Sequence, residues 1–269
     1  MLKLENVSFA YAINNKIFDD INIEIDTQEI VAIAGRNGTG KTTLTRLIMG
    51  LLHPQAGRIK LDEMVISDKP PYIIAKNIGY VFQNPDHQLF ASTVYEEAAY
   101  APKQLGMTEE ERDKYVKQAL INTGLWDKKD FMPQTLSLGD KQRLSIASAL
   151  AANPRILILD EPTSGQDCRE RTVLLRLMRK LNNNGLGIIL VTHDMDILAE
   201  HAHKVVVIAD KQIAYAGTPR ELFSDEKKTI ELGLELPETV RISKEMEIEL
   251  SLTPQELYEK ITAGRKKNA

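Results

Sequence analysis

The stretch that most constrains this chain runs from Gly35 to Thr42 and reads GRNGTGKT. The residues before it, 29–34, are mostly apolar and predict a buried strand, and residues 43–52 carry leucine and isoleucine at helical spacing. A glycine-rich turn that leaves a strand and ends in Lys-Thr at the start of a helix is typical of a phosphate-binding loop. Its backbone N–H groups and the positive end of the helix dipole attract phosphates. The chain is therefore predicted to bind a nucleoside triphosphate.

Each part of this loop has an expected role in binding a nucleoside triphosphate. Lys41 is expected to reach the β- and γ-phosphates, and the Thr42 hydroxyl is expected to occupy one Mg²⁺ position. About one chain in a hundred of this length would contain the pattern by chance, and the flanking strand and helix lower that figure further. The residues predicted to contact the triphosphate in this region are Gly35, Arg36, Asn37, Gly38, Thr39, Gly40, Lys41, Thr42 and Thr43.

A second hydrophobic run, residues 156–161 (ILILDE), ends in two carboxylates. A buried strand of this kind brings Asp160 beside the phosphate-binding loop, where it would hold Mg²⁺ directly or through water. Glu161, one residue closer to the open end, is placed to orient and polarise an attacking water. The alternative is an ordinary strand that ends in two solvated acids, and the phosphate-binding loop upstream disfavours that alternative.

The order of the remaining segments predicts the fold class. Strands and helices alternate along most of the chain, but the segment after Gln83 is almost entirely helical. This pattern implies an α/β fold with a mixed, mainly parallel sheet core and an inserted helical subdomain. Apolar residues alternate in 2–11 and 21–25, which predicts N-terminal antiparallel strands, the first at a sheet edge. The expected units are a nucleotide-binding domain at 1–219 (core 1–83 and 153–219, helical subdomain about 84–152) and a small C-terminal extension at 220–269.

Charge and hydropathy narrow the class of function. The net charge of −4 argues against a protein built chiefly to hold nucleic acid, and the single cysteine, Cys168, excludes an intrachain disulfide. The N-terminus lacks the apolar core of a signal peptide. No run approaches the roughly 18 apolar residues that span a bilayer. A role at a membrane is therefore expected to come from docking onto a partner.

Five further segments resemble the ABC-type ATPases, and they occur in that family's order over residues 1 to about 220. Residues 136–143 (LSLGDKQR) resemble the LSGGQ signature, and 161–167 (EPTSGQD) resemble the D-loop region. Residues 191–194 (VTHD) resemble the switch-histidine segment, and 81–84 (VFQN) resemble the Q-loop. Tyr11 is similar to the aromatic residue that this family stacks on adenine.

The resemblance implies a P-loop NTPase of the ABC ATPase fold, with ATP and Mg²⁺ as its cofactors. The implied catalytic residues are Glu161, His193 and Gln83, and the implied metal-binding residues are Thr42, Gln83 and Asp160. In this family the signature completes the site of an opposing subunit, a role that falls here on Ser137 and Gly139. Taken alone, a histidine in the position of His193 is more often a structural residue. The alternatives for the other two are a surface aromatic at Tyr11, in about one case in three, and a plain strand end at Gln83.

The signature departs from the family pattern at two positions. Leu138 replaces a glycine, and Asp140 replaces a glutamine, whereas Ser137 and Gly139 are kept. A bulky side chain and an extra negative charge would weaken the contact with the partner's γ-phosphate. We therefore expect the site that this signature completes to be the less active of two, which favours a heterodimer over a homodimer.

Two further stretches narrow the resemblance to energy-coupling-factor transporters and cobalt/nickel importers: residues 83–97 and residues 233–241 (GLELPETVR). This resemblance implies an ATPase subunit that powers import of a vitamin or a transition-metal ion. Its expected partners are a second ABC ATPase subunit, a transmembrane coupling subunit and a substrate-binding membrane protein, with no nucleic acid. Its expected location is the cytoplasmic face of the cell membrane, as a peripheral protein.

Other functions are compatible with part of the pattern. The ATPase of another ABC importer or exporter would share every catalytic residue. A non-transport ABC protein acting on DNA or ribosomes would need a coiled-coil insertion, a tandem second half or a basic surface, which the sequence lacks. A P-loop small-molecule kinase would not need the signature or His193. A nucleotide sensor without turnover would not need Glu161.

Overall fold

The computed structural model describes residues 1–12 and 15–267, the last four as backbone only. The strands in these residues are β1 (Leu2–Ala10), β2 (Lys16–Ile25), β3 (Ile30–Ala34), β4 (Ala56–Leu61), β5 (Met64–Val65), β6 (Ile78–Val81), β7 (Ile156–Asp160), β8 (Gly187–Val191), β9 (Lys204–Ala209) and β10 (Gln212–Gly217). The α-helices are α1 (Lys41–Ile48), α2 (Pro71–Ile74), α3 (Val94–Gln104), α4 (Glu109–Asn122), α5 (Leu138–Ala151), α6 (Cys168–Asn183), α7 (Met195–His201), α8 (Pro219–Ser224), α9 (Glu226–Glu231), α10 (Glu238–Glu245) and α11 (Pro254–Lys267). None of the helices described is both long enough and apolar enough to cross a membrane.

The larger sheet positions the site, and its strand order is β10-β9-β3-β8-β7-β6. Strands β9, β3, β8, β7 and β6 are parallel, and β10 is antiparallel at one edge, so the sheet is mixed as predicted. The carboxyl ends of parallel strands meet at one edge of a sheet, where ligands of open α/β folds bind. That edge carries the phosphate-binding loop after β3, Asp160 at the end of β7, His193 after β8 and Gln83 after β6.

A smaller antiparallel sheet, in the order β2-β1-β4-β5, confirms the predicted N-terminal strands. The prediction that the first strand lies at a sheet edge is wrong, because β1 pairs with β2 on one side and with β4 on the other. The two sheets share one apolar core, in which Phe18 of the small sheet lies in the same cluster as Ile33 of β3 and Leu44 of α1. This shared core fixes the small sheet against the phosphate-binding loop.

The helical segment between β6 and β7 has a core of its own and confirms the inserted helical subdomain. Helices α3, α4 and α5 bury Val94, Leu120 and Leu144 in one cluster. Thr108 caps α4, and its hydroxyl and Glu111 form a reciprocal capping box. The limits at 84 and 152 stay a prediction.

The C-terminal helices pack on the larger sheet. Phe223, Leu234 and Val240 are buried in one cluster with Ala34 of β3 and Val207 of β9. The part of residues 220–269 that the structure describes therefore shares a core with the strand that leads into the phosphate-binding loop. Its division from residues 1–219 stays a prediction.

Candidate active site

The phosphate-binding loop connects β3 to α1, and two of its glycines have no room for a side chain. Gly35 (φ 142°) and Gly40 (φ 104°) both have positive φ. A Cβ at Gly35 would lie 2.4 Å from the carbonyl oxygen of Ile208, and a Cβ at Gly40 would lie 2.7 Å from Cγ2 of Ile17. Strands β9 and β2 therefore approach the loop so closely that only glycine fits at both positions.

Lys41 begins α1 and folds back over the loop. Its Nζ donates to the carbonyl oxygens of Gly35 at 2.8 Å and of Arg36 at 3.1 Å, and the residue is only 8% exposed. Burial lowers the pKa of Lys41, while the negative charges of Glu161 and Asp160 oppose that effect. The ammonium group thus lies within electrostatic reach of both carboxylates, beside the unpaired N–H groups of the helix start.

Asp160 ends β7 and is held by a short chain of hydroxyl groups. The Tyr80 hydroxyl donates to Oδ2 of Asp160 at 2.8 Å and lies 3.2 Å from the Thr45 hydroxyl of α1. Burial raises the pKa of the Tyr80 phenol, so the group stays protonated and remains a donor. One oxygen of Asp160 is therefore held by Tyr80, and the residue also lines the cleft beside the phosphate-binding loop.

Glu161 and His193 form a pair at the next position along the sheet edge. Nδ1 of His193 lies 2.9 Å from Oε1 of Glu161, and the Glu161 N–H donates to the carbonyl oxygen of Val191 at 2.9 Å. The His193 side chain is 69% exposed, whereas that of Glu161 is 13% exposed. Glu161 has a positive φ of 49°, a conformation that glycine and asparagine adopt more readily. The backbone is thus bent to bring this carboxylate under the imidazole.

One cleft of about 670 Å³ brings most of the predicted site residues together. The predicted residues that line it are Tyr11, Asn37, Gly38, Gly40, Lys41, Thr42, Thr43, Gln83, Asp160, Glu161 and His193. Gly35, Arg36 and Thr39 do not line it. The Thr39 hydroxyl instead donates to the carbonyl oxygen of Arg36 at 2.9 Å and closes the loop on itself.

Tyr11 stands at the mouth of this cleft. Its hydroxyl lies 3.2 Å from the hydroxyl of Thr43, and the edge of its ring meets Phe9 with the ring centroids 5.0 Å apart. The residue is 51% exposed, which leaves an aromatic surface open to a planar ligand. This placement is consistent with the predicted contact to adenine.

The signature segment lies outside the cleft. Ser137 caps α5, and its Oγ accepts a hydrogen bond from the Asp140 N–H at 3.1 Å. Gly139 packs against α6, since a Cβ there would lie 2.1 Å from Oε2 of Glu170. Leu138 is 43% exposed. The structure therefore does not bring Ser137 or Gly139 to the same cleft as the phosphate-binding loop of their own chain.

Asp140 does not present a free negative charge, contrary to the sequence-based interpretation. The residue is buried, and its carboxylate accepts from Lys128 and from Arg143, each at 2.5 Å. Burial opposes ionisation, but the Lys128 hydrogen bond and the Arg143 charge outweigh it, and the pKa of Asp140 lies below its usual range. Arg143 also donates to Glu170 at 2.6 Å. Of the two departures in the signature, only Leu138 faces solvent.

Comparison with known protein families identifies the family to which this chain belongs. Residues 18–164 match the family model described as ABC transporter. The chain belongs to the ABC transporter family of ATPases. The fold and the resemblance to ABC-type ATPases predicted from the sequence are confirmed by this membership and by the solved structures of that family.

Among ABC relatives, the energy-coupling-factor group is well represented, which confirms the predicted resemblance. The energy-coupling factor transporter ATP-binding protein EcfA of Methanothermobacter thermautotrophicus is 34% identical over 97% of this chain and 86% of its own length. EcfA2 of Caldanaerobacter subterraneus is 38% identical over 91% of this chain and 88% of its own length. Two other curated ABC relatives are longer, and the chain spans only 43% and 40% of their lengths.

A solved structure gives the same result. CbiO1 of Clostridium perfringens, described as part of the ABC transporter complex CbiONQ, superposes on this ABC ATPase with a TM-score of 0.78. The two are 37% identical, and the match covers 92% of this chain and 98% of CbiO1.

The donor atoms in the cleft of this ABC ATPase fit a Mg²⁺ ion. The Thr42 hydroxyl, the Asp160 carboxylate and the Gln83 amide offer the hard oxygen donors that Mg²⁺ prefers. Within residues 1–12 and 15–267, no three His, Cys, Asp or Glu side chains form a metal-binding cluster. Mg²⁺ that is held largely by nucleotide phosphates and water needs only one or two carboxylates from the protein. When bound, it would neutralise part of the phosphate charge.

Some residues of the site were missed by the sequence analysis. Tyr80 holds Asp160, and Asn15, Ile17 and Val191 line the cleft. The position of Tyr80 on the short strand before Gln83 offers a weak signal, because a tyrosine in a buried strand needs a partner for its hydroxyl. Asn15 and Ile17 reach the cleft only because the small sheet packs beside the loop.

Proposed function

We propose that this chain is the ATP-hydrolysing subunit of an energy-coupling-factor-type importer, with a vitamin or a transition-metal ion as cargo. The observation that carries the proposal is the single cleft in which Lys41, Asp160, Glu161 and His193 meet, with the signature outside it. Such a cleft can bind the phosphates of ATP and activate water. The likeness to EcfA, EcfA2 and CbiO1 supports the type of importer.

The chemistry follows from the positions of three side chains. Lys41 donates to the β- and γ-phosphates and offsets the charge that develops on the transferred phosphoryl group. Glu161 orients the attacking water and accepts its proton. His193, hydrogen-bonded to Glu161 at 2.9 Å, holds that carboxylate and lies beside the γ-phosphate position. Mg²⁺ would be held by Thr42, Asp160 and Gln83.

A second ATPase subunit would complete the site. Ser137 and the first turn of α5 combine a hydroxyl with helix N–H groups, which together suit a phosphate. Ser137 Oγ accepts from within its own helix, so its hydroxyl proton is free to be donated outward. Two subunits facing each other would place the signature of one over the phosphate-binding loop of the other. ATP would then favour the closed pair, and hydrolysis would release it.

The helical subdomain offers a docking surface for a transmembrane coupling subunit. Phe90 and Tyr100 are 62% and 46% exposed, and their rings meet edge to face with centroids 4.8 Å apart. Beside them a groove of about 440 Å³ is lined partly by Tyr95 and Ala99. The buried Glu97 carboxylate accepts from the Phe90 N–H at 2.9 Å, which fixes the aromatic pair. A rigid, exposed aromatic surface of this kind favours a protein partner.

The segment after Gln83 connects this surface to the nucleotide. Gln88 accepts from the Phe82 N–H at 3.3 Å and donates to the carbonyl oxygen of Ser145 in α5 at 3.4 Å. Asp86 pairs with Lys141 of α5 at 2.8 Å. A movement of Gln83 toward the nucleotide would therefore be transmitted to the helix that carries the signature.

The first experiment replaces the proposed base. Glu161→Gln keeps the size and hydrogen-bonding capacity of the side chain but removes its basicity, so ATP turnover should fall by about 100-fold or more. ATP binding and ATP-dependent pairing should persist. The control is Glu63→Gln, an exposed glutamate in the turn between β4 and β5, which should behave like the wild type. Wild-type turnover in Glu161→Gln would contradict the assignment.

The second experiment identifies the membrane partners. The full chain carrying Glu161→Gln is expressed in cells of the organism from which the protein comes. The membrane proteins that co-purify with it in the presence of ATP are then identified. A coupling subunit together with a small substrate-binding membrane protein supports the importer proposed here. Recovery of a different type of membrane permease would contradict it, although the ATPase assignment would remain.

A further inference from the structure

The C-terminal segment Gly233–Glu238 lies next to the phosphate-binding loop and the switch histidine. A depression of about 490 Å³ is lined by Arg36 and Asn37 of the loop, by His193, and by Gly233 and Glu235. This depression adjoins the ATP cleft, because Asn37 and His193 line both, whereas the C-terminal residues line only the depression. The C-terminal residues therefore lie outside the nucleotide cleft but can act on the groups that line it.

The first contact joins Gly233 to Arg36. A Cβ at Gly233 would lie 2.4 Å from Cδ and 2.6 Å from Cγ of Arg36, so the Arg36 side chain packs directly on the glycine backbone. The Arg36 carbonyl oxygen accepts from Lys41 Nζ at 3.1 Å, from Thr39 Oγ1 at 2.9 Å and from the Thr39 N–H at 3.3 Å. The Arg36 backbone thus accepts three of the hydrogen bonds that hold the loop together, and Gly233 packs against the side chain of the same residue.

The second contact joins the same segment to the residues after His193. Leu234 is buried in one cluster with Met195 and with Ala34, the last residue of β3 before the loop. The Glu238 N–H donates to Oδ1 of Asp196 at 2.7 Å. Asp196 is exposed at the start of α7. One short segment therefore holds both the phosphate-binding loop and the switch-histidine segment.

We infer that Gly233–Glu238 is a positioning element of the ATP site, which fixes Arg36 and the His193 segment relative to one another. This inference rests on the proposed function, because the two loops matter together only if ATP is bound and cut between them. Gly233 would act on nucleotide affinity through Arg36 and Lys41. Asp196 would act on turnover through the placement of His193 against Glu161.

The test for the loop uses two matched glycines. Gly233 (φ 75°) and Gly106 (φ 76°) each follow a helix with the same pair of terminal hydrogen bonds, but a Cβ at Gly106 would meet nothing within 4 Å. Alanine at either position introduces the same backbone strain. Gly233→Ala should weaken equilibrium binding of ATP with Mg²⁺ by about five-fold, which corresponds to roughly 1 kcal/mol. Gly106→Ala should leave binding unchanged at a similar loss of thermal stability.

The test for the switch uses a conservative rescue. Asp196→Ala should lower kcat of the full chain assembled with its partner subunits by a few-fold while the KM for ATP stays unchanged. Asp196→Asn keeps the accepting oxygen and should restore kcat. Equal ATP affinity in Gly233→Ala and Gly106→Ala, or no difference in kcat between Asp196→Ala and Asp196→Asn, would overturn the inference. Absence of turnover in the wild-type assembly would instead contradict the proposed function.

Discussion

The ATP cleft and the signature segment are the two halves of the proposed catalytic machinery, and they differ in how complete they are. In the cleft, Lys41, Asp160 and Glu161 each have at least one hydrogen-bond partner from the same chain. In the signature, Ser137 has only a helix-capping contact, and Leu138 is 43% exposed. The cleft is assembled by folding alone, whereas the signature lies apart from it and, in the proposed function, would meet the ligand of a second subunit.

This difference separates binding from turnover. A site whose charged groups are already in place can bind ATP in a single subunit. In the proposed function, catalysis would need the dry, fully lined site that forms when a second signature closes over the phosphates. Variants in the cleft should therefore affect the isolated chain, and variants in the signature should affect only the assembly.

The largest effect is expected from Lys41→Ala. Removing the ammonium group deletes charge-assisted hydrogen bonds to the phosphates, so ATP affinity of the isolated chain should fall by about 100-fold. Titration calorimetry with ATP and Mg²⁺ measures this change. Lys69→Ala, an exposed lysine before α2, serves as the control. Unchanged ATP affinity of the Lys41→Ala variant would contradict the proposal that this cleft binds ATP.

A smaller effect is expected from Ser137→Ala, and only in the assembly. The isolated chain should bind ATP like the wild type, whereas ATP turnover of the assembled complex should fall by about ten-fold, because one hydroxyl contact to the partner's phosphate is lost. The substitution also removes a helix cap at a cost of about 1 kcal/mol. Thr108→Ala removes the cap of α4 in the same subdomain and controls for that cost. Weakened ATP binding by the isolated Ser137→Ala chain would contradict the expectation that the signature acts only in the assembly.

Replacing the two unusual signature residues, Leu138 and Asp140, should have different effects. Leu138→Gly should raise turnover of the assembly a few-fold, because the exposed side chain would no longer crowd the partner's γ-phosphate. Asp140→Gln should give no such gain and should destabilise the fold by roughly 1–3 kcal/mol, since Lys128 and Arg143 lose a buried carboxylate. Turnover assays and urea unfolding of both single variants and the double variant test this. No gain in Leu138→Gly would remove the idea of a weakened site.

The pH dependence of stability that arises from His201 determines the pH range in which the variants above are compared. Burial, reinforced by the charges of Arg179 and Arg171, lowers the pKa of His201 to about 4. The unfolded chain binds that proton near pH 6.5, so stability is lost as the pH falls from about 6.5 toward 4. Between pH 7 and pH 5 the free energy of unfolding should drop by roughly 1–2 kcal/mol from this group.

His201→Gln should flatten that pH dependence in urea unfolding curves, and the exposed His87 changed to Gln should not. An equally steep loss in His201→Gln would assign the acid sensitivity to other groups. The comparisons above are best made at pH 7 or higher.

The sequence predicts the parts of the site that local pattern controls. Asp160 and His193 each follow a hydrophobic run, and parallel strands bring such positions to one edge. The contact between Tyr80 and Asp160 could not be predicted, because it joins positions 80 residues apart and depends on β6 pairing with β7. The wrong interpretation of Asp140 as a free charge has a different cause. The local sequence around a charged residue in a helix does not show that its carboxylate is buried and paired with two cations.

The position of the C-terminal segment was also beyond prediction. Short helical pieces between prolines give no indication of the surface on which they pack, and buried residues such as Phe223, Leu234 and Val240 fix them to the sheet. The prediction that β1 lies at a sheet edge was wrong for a similar reason. Alternation shows that a strand has one buried face, but it does not count the strand's neighbours.

The left-handed backbone at Glu161 has a consequence for anyone who engineers this protein. Glycine or asparagine would adopt a φ of 49° at lower cost than glutamate, so either substitution should relieve strain while deleting the carboxylate. A laboratory selection that rewards heat resistance alone would therefore drift toward robust proteins that hold ATP and do nothing with it. Directed evolution of this scaffold needs a screen that scores turnover in every round.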